Sequence, residues 1–397
     1  MKLFKVFQIA AMVFALVFAY SNVLAAEKTP APVVIGLDAD MSSGSAQSGE
    51  AIRRGLILAM DEINGRGGVL GRPFKLVVRD HRGNPARGID NMEAFAGMKD
   101  LVAVVGGLHT PVAMVELKAI HKNKIIYLDP WAAGTPVIEN GFTPNYAFRV
   151  SVRDEYAGGF LVREALKAGY EKIALLLEQT GWGRSNERSM TAALKAHGLA
   201  PVAVRWFHWG TKDLTNQIHA AQKAGADAVM LVANAPEGVA AVKSMAALPE
   251  DRRLPIISHW GITGGDFFEK TKENLPHVDL VFLQTYSFIE PPFPDRARKV
   301  LEAYGKRFPE CRTPQDIFSP VGTAHAYDLI QLLALAIEKA GTIERPAVRK
   351  ALENLGEYRG LVRVYNPPFT EKKHDALDSD DFRMAGYDKN GVIVPVR

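Results

Sequence analysis

Residues 101–135 read LVAVVGGLHTPVAMVELKAIHKNKIIYLDPWAAGT, and this stretch decides the fold class. Two mostly apolar runs, residues 101–106 and 124–128, flank a segment of helical spacing at residues 111–122. The order strand, helix, strand predicts two parallel strands of an α/β sheet joined by a crossover helix. A small polar loop follows each strand, and ligands bind at the carboxyl ends of the strands in such sheets.

Two threonines indicate what those loops bind. Thr110 precedes the crossover helix, and Thr135 ends the loop after the second strand. Pro111 suits a first helical turn, because the N–H group that proline lacks has no helical partner there. We interpret the two hydroxyl groups as donors to one small anionic group, beside backbone N–H groups freed at the turn. The alternative is that both loops are ordinary connections between strands and helices.

The same alternation of strands and helices occurs in two blocks. It runs through residues 32–150, restarts with a helix at Asp154, and is lost after Asp279. Because a single hydrophobic core stops growing near about 250–300 residues, the restart predicts two Rossmann-like lobes with parallel central sheets. We assign residues 32–150 and 286–381 to lobe 1, and residues 151–285 and 382–397 to lobe 2. Three chain crossings are expected near residues 150–152, 283–286 and 382–387.

Composition excludes several classes of function. Hydrophobic residues make up 47% of the chain and charged residues 23%, which is ordinary for a globular protein. The formal net charge of +4 does not indicate a nucleic-acid partner. Cys311 is the single cysteine, so an internal disulfide and a thiolate metal cluster are both excluded. Its polar neighbours predict a surface thiol rather than a nucleophile.

The N-terminus is typical of a secretion signal. Lys2 and Lys5 precede an apolar run at residues 6–20, and small residues end it at Ala25. We predict a signal peptide over residues 1–25, cleaved after Ala25, and therefore a periplasmic mature chain. A membrane anchor is the alternative, but the run is shorter than the roughly 20 residues that a membrane span requires.

Motifs for catalysis are missing from the sequence. It contains no phosphate-binding loop of the Gly-x-x-x-x-Gly-Lys-Ser/Thr type and no nucleophile elbow after a predicted strand. The ten histidines are scattered without metal-ligand spacing. We therefore expect a protein that is not an enzyme and that holds no metal and no cofactor.

Tryptophans follow predicted strands in both blocks. Trp131, Trp182 and Trp260 all fall in predicted loops at the carboxyl ends of strands. A tryptophan is more often part of a core than of a binding wall, but three in corresponding loops favour a pocket for an apolar or planar solute. His109, in the first polar loop, is either a ligand contact or a hydrogen-bonded loop histidine.

Several segments together resemble one family. They are Val34-Ile-Gly-Leu, Met41-Ser42, the glycine-rich residues 63–71, Val105-Gly106-Gly107, and Phe148-Arg149 with Asp154. With them the mature chain resembles the periplasmic solute-binding proteins of branched-chain amino-acid ABC transporters, which have the type I Venus-flytrap fold. The resemblance implies a solute-binding protein that closes two lobes on its ligand and delivers it to a membrane permease.

The resemblance also implies site residues between the lobes. Thr110 stands where the family uses a serine hydroxyl for the ligand carboxylate, and Ala133 with Thr135 matches the family's Ala-x-Thr. Trp182 stands where a tyrosine often covers the ligand, and Asn234 where another aromatic residue occurs. The predicted ligand-binding residues are Ser48, His109, Thr110, Trp131, Ala133, Thr135, Trp182, Asn234, Trp260 and Tyr286.

One departure from the family concerns the solute. Amino-acid binders carry a glutamate for the ligand ammonium at the position of Trp260. A buried ammonium without a carboxylate costs several kcal/mol. Either Glu178 or Glu237 substitutes, or the solute has no amine. We expect a small carboxylate without an α-amine, aromatic or otherwise planar and apolar.

Three roles stay open for such a chain. The first is the capture component of an ABC uptake system, acting as a monomer with a membrane permease and no nucleic acid. The second is a periplasmic sensor that reports to a membrane kinase or chemoreceptor. The third is a binder of branched-chain amino acids proper.

Overall fold

The fold of lobe 1 rests on a five-stranded parallel sheet. The computed structural model describes residues 30–396, so the predicted signal peptide lies outside the described residues. The strands are β1 (Val33–Ala39), β2 (Phe74–Asp80), β3 (Leu101–Val105), β4 (Ile126–Asp129) and β5 (Ala147–Arg149). Their order is β2-β1-β3-β4-β5. Every residue of β3 and β4 is buried, as expected for parallel strands covered on both faces.

Lobe 2 is built on a second sheet of seven strands. These are β6 (Ile173–Glu178), β7 (Ala203–Phe207), β8 (Ala228–Val232), β9 (Ile256–Ser258), β10 (Leu280–Gln284), β13 (Arg383–Tyr387) and β14 (Ile393–Pro395). The order is β14-β13-β10-β9-β8-β6-β7, in which β13 runs antiparallel to both neighbours. A separate two-stranded ribbon joins β11 (Tyr358–Arg359) to β12 (Val364–Tyr365). The predicted two-lobed α/β architecture with parallel central sheets is confirmed.

Helices cover both sheets. They are α1 (Ala46–Gly65), α2 (Pro85–Ala96), α3 (Thr110–Lys122), α4 (Thr135–Ile138), α5 (Asp154–Lys167), α6 (Gly181–Ala196), α7 (Thr215–Lys223), α8 (Ala235–Ala246), α9 (Phe267–Thr271), α10 (Pro294–Arg307), α11 (Pro320–Ala340) and α12 (Arg345–Leu352). A 3-10 turn, Trp260–Gly264, follows β9. Within residues 30–396, no helix combines the length and apolarity that crossing a bilayer requires.

The two longest helices pack at the centre of lobe 1. A Cβ atom on Gly55 of α1 would lie 2.2 Å from the Thr323 carbonyl oxygen of α11. Only glycine therefore permits this approach of the two backbones. The close packing buries almost the whole of α11, the second helix after β10.

The chain passes between the lobes three times: from β5 into α5, from β10 into α10, and before β13. Arg149, fully buried at the first crossing, donates from Nε to Asp375 Oδ1 at 2.6 Å. Its Nη1 donates to the carbonyl oxygens of Ala132 and Gly134, at 3.1 and 2.9 Å. These hydrogen bonds tie the loop after β4 to the first crossing. The residue boundaries assigned to the lobes stay a prediction.

Candidate functional site

The loops at the carboxyl ends of the strands of both lobes meet in one cleft. The Trp131 ring of lobe 1 lies 5.9 Å from the Trp260 ring of lobe 2, measured between centroids. The Thr135 backbone N–H donates to Ser185 Oγ of α6 at 3.2 Å. A Cβ atom on Gly265 of lobe 2 would lie 2.4 Å from the Gly44 carbonyl oxygen of lobe 1. These contacts describe two lobes closed on each other.

The predicted anion-binding residues come together on the lobe 1 side. Thr110 Oγ1 accepts from the Gly134 N–H at 3.1 Å, and Thr135 Oγ1 accepts from the Glu155 N–H at 3.2 Å. Ala133 lies between them in sequence, and its carbonyl oxygen accepts from the Asp154 N–H at 2.8 Å. Since a hydroxyl group can accept and donate at once, both threonines keep a hydrogen for a solute oxygen.

Two of the predicted aromatic residues, Trp131 and Trp260, are buried close to each other where the lobes meet. Trp131 is 1% exposed and packs on the start of α11, where a Cβ atom on Gly322 would lie 2.5 Å from the indole. Trp260 lies between Trp131 and His325, with its ring centroid 5.8 Å from that of His325. His325 is saturated by the Pro130 carbonyl oxygen and the Thr285 hydroxyl. Trp131 Nε1 is buried and has no hydrogen-bond partner among the described residues.

Trp182 lies on a helix rather than in the predicted loop. Helix α6 begins at Gly181, because the Thr180 hydroxyl caps it by accepting from the Gly183 N–H at 3.4 Å. Trp182 is therefore held in the first turn, and its Nε1 donates to Asp154 Oδ1 at 3.2 Å.

Asp154 is the carboxylate that sequence reasoning did not assign to the site. It is fully buried at the start of α5. Its Oδ1 also lies 3.3 Å from His259 Nε2, although the ring N–H does not point straight at it. His259 Nδ1 accepts from the Trp260 N–H at 2.9 Å, so the ring proton is on Nε2, facing Asp154. Asp154 Oδ2 has no partner among the described residues. In the sequence Asp154 begins a predicted helix, where an acidic residue is common, so no local signal marked it as part of a site.

Glu178 and Glu237, the two predicted substitutes for the family's glutamate, are engaged elsewhere. Glu178 Oε2 accepts from Asn234 Nδ2 at 3.0 Å, and its Oε1 from the Thr180 hydroxyl at 3.0 Å. Burial, and then the charge of Glu237, raise the pKa of Glu178 to about 8. Glu237 Oε1 accepts from the Gly210 N–H at 2.7 Å, and burial raises its pKa as well. Asp154 therefore offers the freer carboxylate oxygen.

Asn234 and His109 lie at the edges of the cleft. Asn234 Oδ1, beside Gly261, has no partner among the described residues. His109 precedes α3 without capping it, and burial lowers its pKa to about 4. Its ring meets Trp209 of lobe 2 edge-on, with centroids 5.5 Å apart. His109 thus contributes a contact between the lobes.

The last two predicted ligand residues, Ser48 and Tyr286, make their contacts away from the threonines and tryptophans. Ser48 belongs to α1, and its hydroxyl donates to the Ser45 carbonyl oxygen at 2.6 Å. Tyr286 is fully buried and packs on Phe288 at 4.9 Å rather than on the tryptophans. The Ser48 hydroxyl therefore donates its hydrogen within its own helix region. Tyr286 Oη has no hydrogen-bond partner among the described residues.

The prediction of a surface thiol is wrong. Cys311 is 7% exposed and lies 3.3 Å from Arg54 Nη1, because α1 and the segment after α10 enclose it. Over residues 30–396, no three His, Cys, Asp or Glu side chains are grouped as a metal site would require.

Two α/β lobes that meet around buried tryptophans, threonines and one carboxylate define a two-lobed binding protein of type I. The chain belongs to the periplasmic binding protein family, whose model matches residues 32–391. It is 25% identical over 330 residues to the Leu/Ile/Val-binding protein BraC3 of Rhizobium johnstonii, covering 82% of this chain and 84% of that relative.

Solved structures share this fold. A type 1 periplasmic binding protein from Bordetella pertussis superposes with a TM-score of 0.83 at 21% identity, covering 92% of this chain and 100% of that one. A solute-binding protein of an ABC transporter from R. palustris, in complex with 4-hydroxybenzoate, superposes with a TM-score of 0.77 at 18% identity. That match covers 92% of this chain and 96% of the other.

Proposed function

We propose that this chain is the solute-binding component of an ABC uptake transporter and captures a small carboxylate by closing its lobes. One observation carries the proposal: Thr110, Ala133 and Thr135 meet lobe 2 where Trp131 and Trp260 of the two lobes lie close together. Family membership supports the transport role. The predicted signal peptide supports a periplasmic location, with a membrane permease as the partner.

The side chains of the cleft support a solute with three features. The two threonine hydroxyls suit a carboxylate, and the indoles of Trp131 and Trp260 suit a flat apolar body. Asp154 Oδ2 is an acceptor for a hydroxyl or an amine. We therefore extend the range of expected solutes from simple aromatic acids to aromatic acids that also carry a hydroxyl or an amine. The R. palustris neighbour holds a hydroxylated aromatic acid, and the curated relative is named for aliphatic amino acids.

A thermal-shift screen tests this function. The panel contains benzoate, 4-hydroxybenzoate, 3-phenylpropanoate, L-phenylalanine and L-leucine, with glucose as a solute without a carboxylate. Binding to the folded state alone stabilises it, by about 2.7 kcal/mol at a hundred-fold excess over Kd. We expect stabilisation by at least one aromatic acid and none by glucose. Stabilisation by L-leucine alone would contradict the aromatic solute, and stabilisation by no carboxylate would contradict the proposed function.

A further inference from the structure

Ser185 is a buried hydroxyl of lobe 2 that contacts the predicted anion site of lobe 1. It lies in the second turn of α6 and is 3% exposed. Its Oγ accepts from the Thr135 backbone N–H at 3.2 Å. Thr135 is one of the residues predicted to hold the solute carboxylate, and no feature of the sequence pointed to Ser185.

The position of Ser185 is set by the way α6 is seated. A Cβ atom on Gly183 would lie 1.8 Å from the Glu178 carbonyl oxygen, so the first turn packs directly on the end of β6. A Cβ atom on Gly181 would lie 2.9 Å from Met114 Sδ of α3, which belongs to lobe 1. The start of α6 therefore contacts lobe 1 when the lobes are closed, and this contact places Ser185 beside Thr135.

The Ser185 hydroxyl still has its own hydrogen to give. In the contact with Thr135 its oxygen acts as the acceptor, and a serine hydroxyl can donate at the same time. Beside it lie Thr135 and, through Gly134, the hydroxyl of Thr110. A solute carboxylate held by Thr110 and Thr135 would therefore be able to accept a hydrogen bond from the Ser185 hydroxyl.

We infer that Ser185 is a solute-binding residue of lobe 2, which donates to the solute carboxylate and bonds Thr135 at the same time. The inference rests on the proposed function and names a residue of that site. Because the hydroxyl reaches the site only in the closed state, its contact links binding to closure. Ser185 thus contributes affinity that an open protein cannot have.

Affinity measurements on matched variants test the role of Ser185. The probe is the strongest stabiliser in the carboxylate panel, titrated by calorimetry. We expect Ser185→Ala to weaken binding by about ten-fold, as for loss of one hydrogen bond to a charged group. Ser185→Thr keeps a hydroxyl and should bind within about three-fold of the natural chain, a difference under 1 kcal/mol. Ser189→Ala is the control, because its hydroxyl donates to the Asn186 carbonyl oxygen on the same helix.

Two further readouts separate binding from a purely structural role. Small-angle scattering with the probe should show a larger radius of gyration for Ser185→Ala than for Ser189→Ala, while their melting temperatures without the probe stay alike. If Ser185→Ala does not fold, Ser185→Cys replaces it as the variant with a weak donor. Equal affinity of the alanine variant and the natural chain would overturn the Ser185 assignment alone. A natural chain that binds no carboxylate of the panel would overturn the proposed function, and this assignment with it.

Discussion

Hydroxyl groups in the cleft serve two purposes at once. Thr110 accepts from Gly134, which orders the loop after β4, and its hydrogen remains for a solute oxygen. Thr135 does the same with the first turn of α5. At the scale of single residues, such dual use means that removing a hydroxyl affects both the shape of the loop and the binding of the solute.

We expect Thr110→Ala and Thr135→Val each to weaken binding of the best carboxylate by about ten-fold or more, because hydrogen bonds to a charged group contribute roughly 1.5–3 kcal/mol. Isothermal calorimetry measures the loss. Thr110→Ser retains the hydroxyl and serves as the control. Unchanged affinity of both hydroxyl-free variants would place the anion elsewhere.

Asp154 allows a prediction about selectivity. Asp154→Asn keeps the shape of the side chain but replaces one carboxylate oxygen with an NH2 group, which cannot accept a hydrogen bond. A solute donor at Oδ2 then loses its partner, so affinity for L-phenylalanine should fall about ten-fold or more, while 3-phenylpropanoate, which lacks the amine, should lose less. The ratio of the two dissociation constants is the measurement. Equal losses for both ligands would show that Asp154 does not contact a solute donor.

At the scale of elements, glycines set how closely the lobes approach. Gly265 follows the 3-10 turn of lobe 2, and its φ of −144° is compatible with any residue. A Cβ atom there would nevertheless meet the backbone of Gly44 in the loop before α1. The obstacle is a main-chain oxygen, which cannot rotate away as a side chain can. Closure therefore depends on the missing side chain of Gly265.

Gly265→Ala should hold the lobes apart without unfolding either one. The new Cβ atom would also lie 2.8 Å from Ala235 Cβ within lobe 2, so a modest loss of stability should accompany the larger effect on the closed state. We expect a larger radius of gyration with saturating solute and about ten-fold weaker binding, equivalent to about 1.4 kcal/mol lost from the closed state. Gly159→Ala is the control, since a Cβ atom at that α5 position meets nothing within 4 Å. Closure of Gly265→Ala to the natural radius would refute this account of the interface.

At the scale of the whole molecule, stability depends on two buried carboxyl groups in lobe 1. Burial raises the pKa of Asp38 on β1 to about 6, against a hydrogen bond from Asn91 Nδ2 at 2.8 Å that favours the charged form. Burial and the Asp38 charge also raise the pKa of Glu116, which is hydrogen-bonded to Asp38. The folded chain therefore retains protons that the unfolded chain releases.

This difference predicts how stability changes with pH. Between about pH 4 and pH 6 the folded state holds a proton on Asp38 that the unfolded state has lost, so this group's contribution to the free energy of unfolding falls as pH rises. Asp38→Asn removes that contribution. Urea unfolding at pH 4.5 and 7 should show a decrease for the natural chain that is larger by on the order of 2 kcal/mol than for Asp38→Asn. Parallel changes in both proteins would contradict the assignment.

Periodicity and composition were sufficient for the fold. Alternating apolar runs and helical spacing depend on neighbours within a few residues, so the two parallel sheets and the loops that end their strands could be predicted from local pattern. From the same local pattern, Thr110, Thr135, Trp131 and Trp260 could be predicted to lie near the cleft, because the carboxyl ends of parallel strands lie at one edge of a sheet.

Contacts between distant residues were decided only by the tertiary structure. Whether Cys311 is exposed depends on α1, more than two hundred residues earlier in the chain, and the partner of Arg149 is Asp375. Ser185 and Asp154 look like ordinary helix residues until α6 and α5 are set against the loop after β4. Burial and hydrogen-bond partners depend on how whole elements pack, and no local pattern of residue types contains that information.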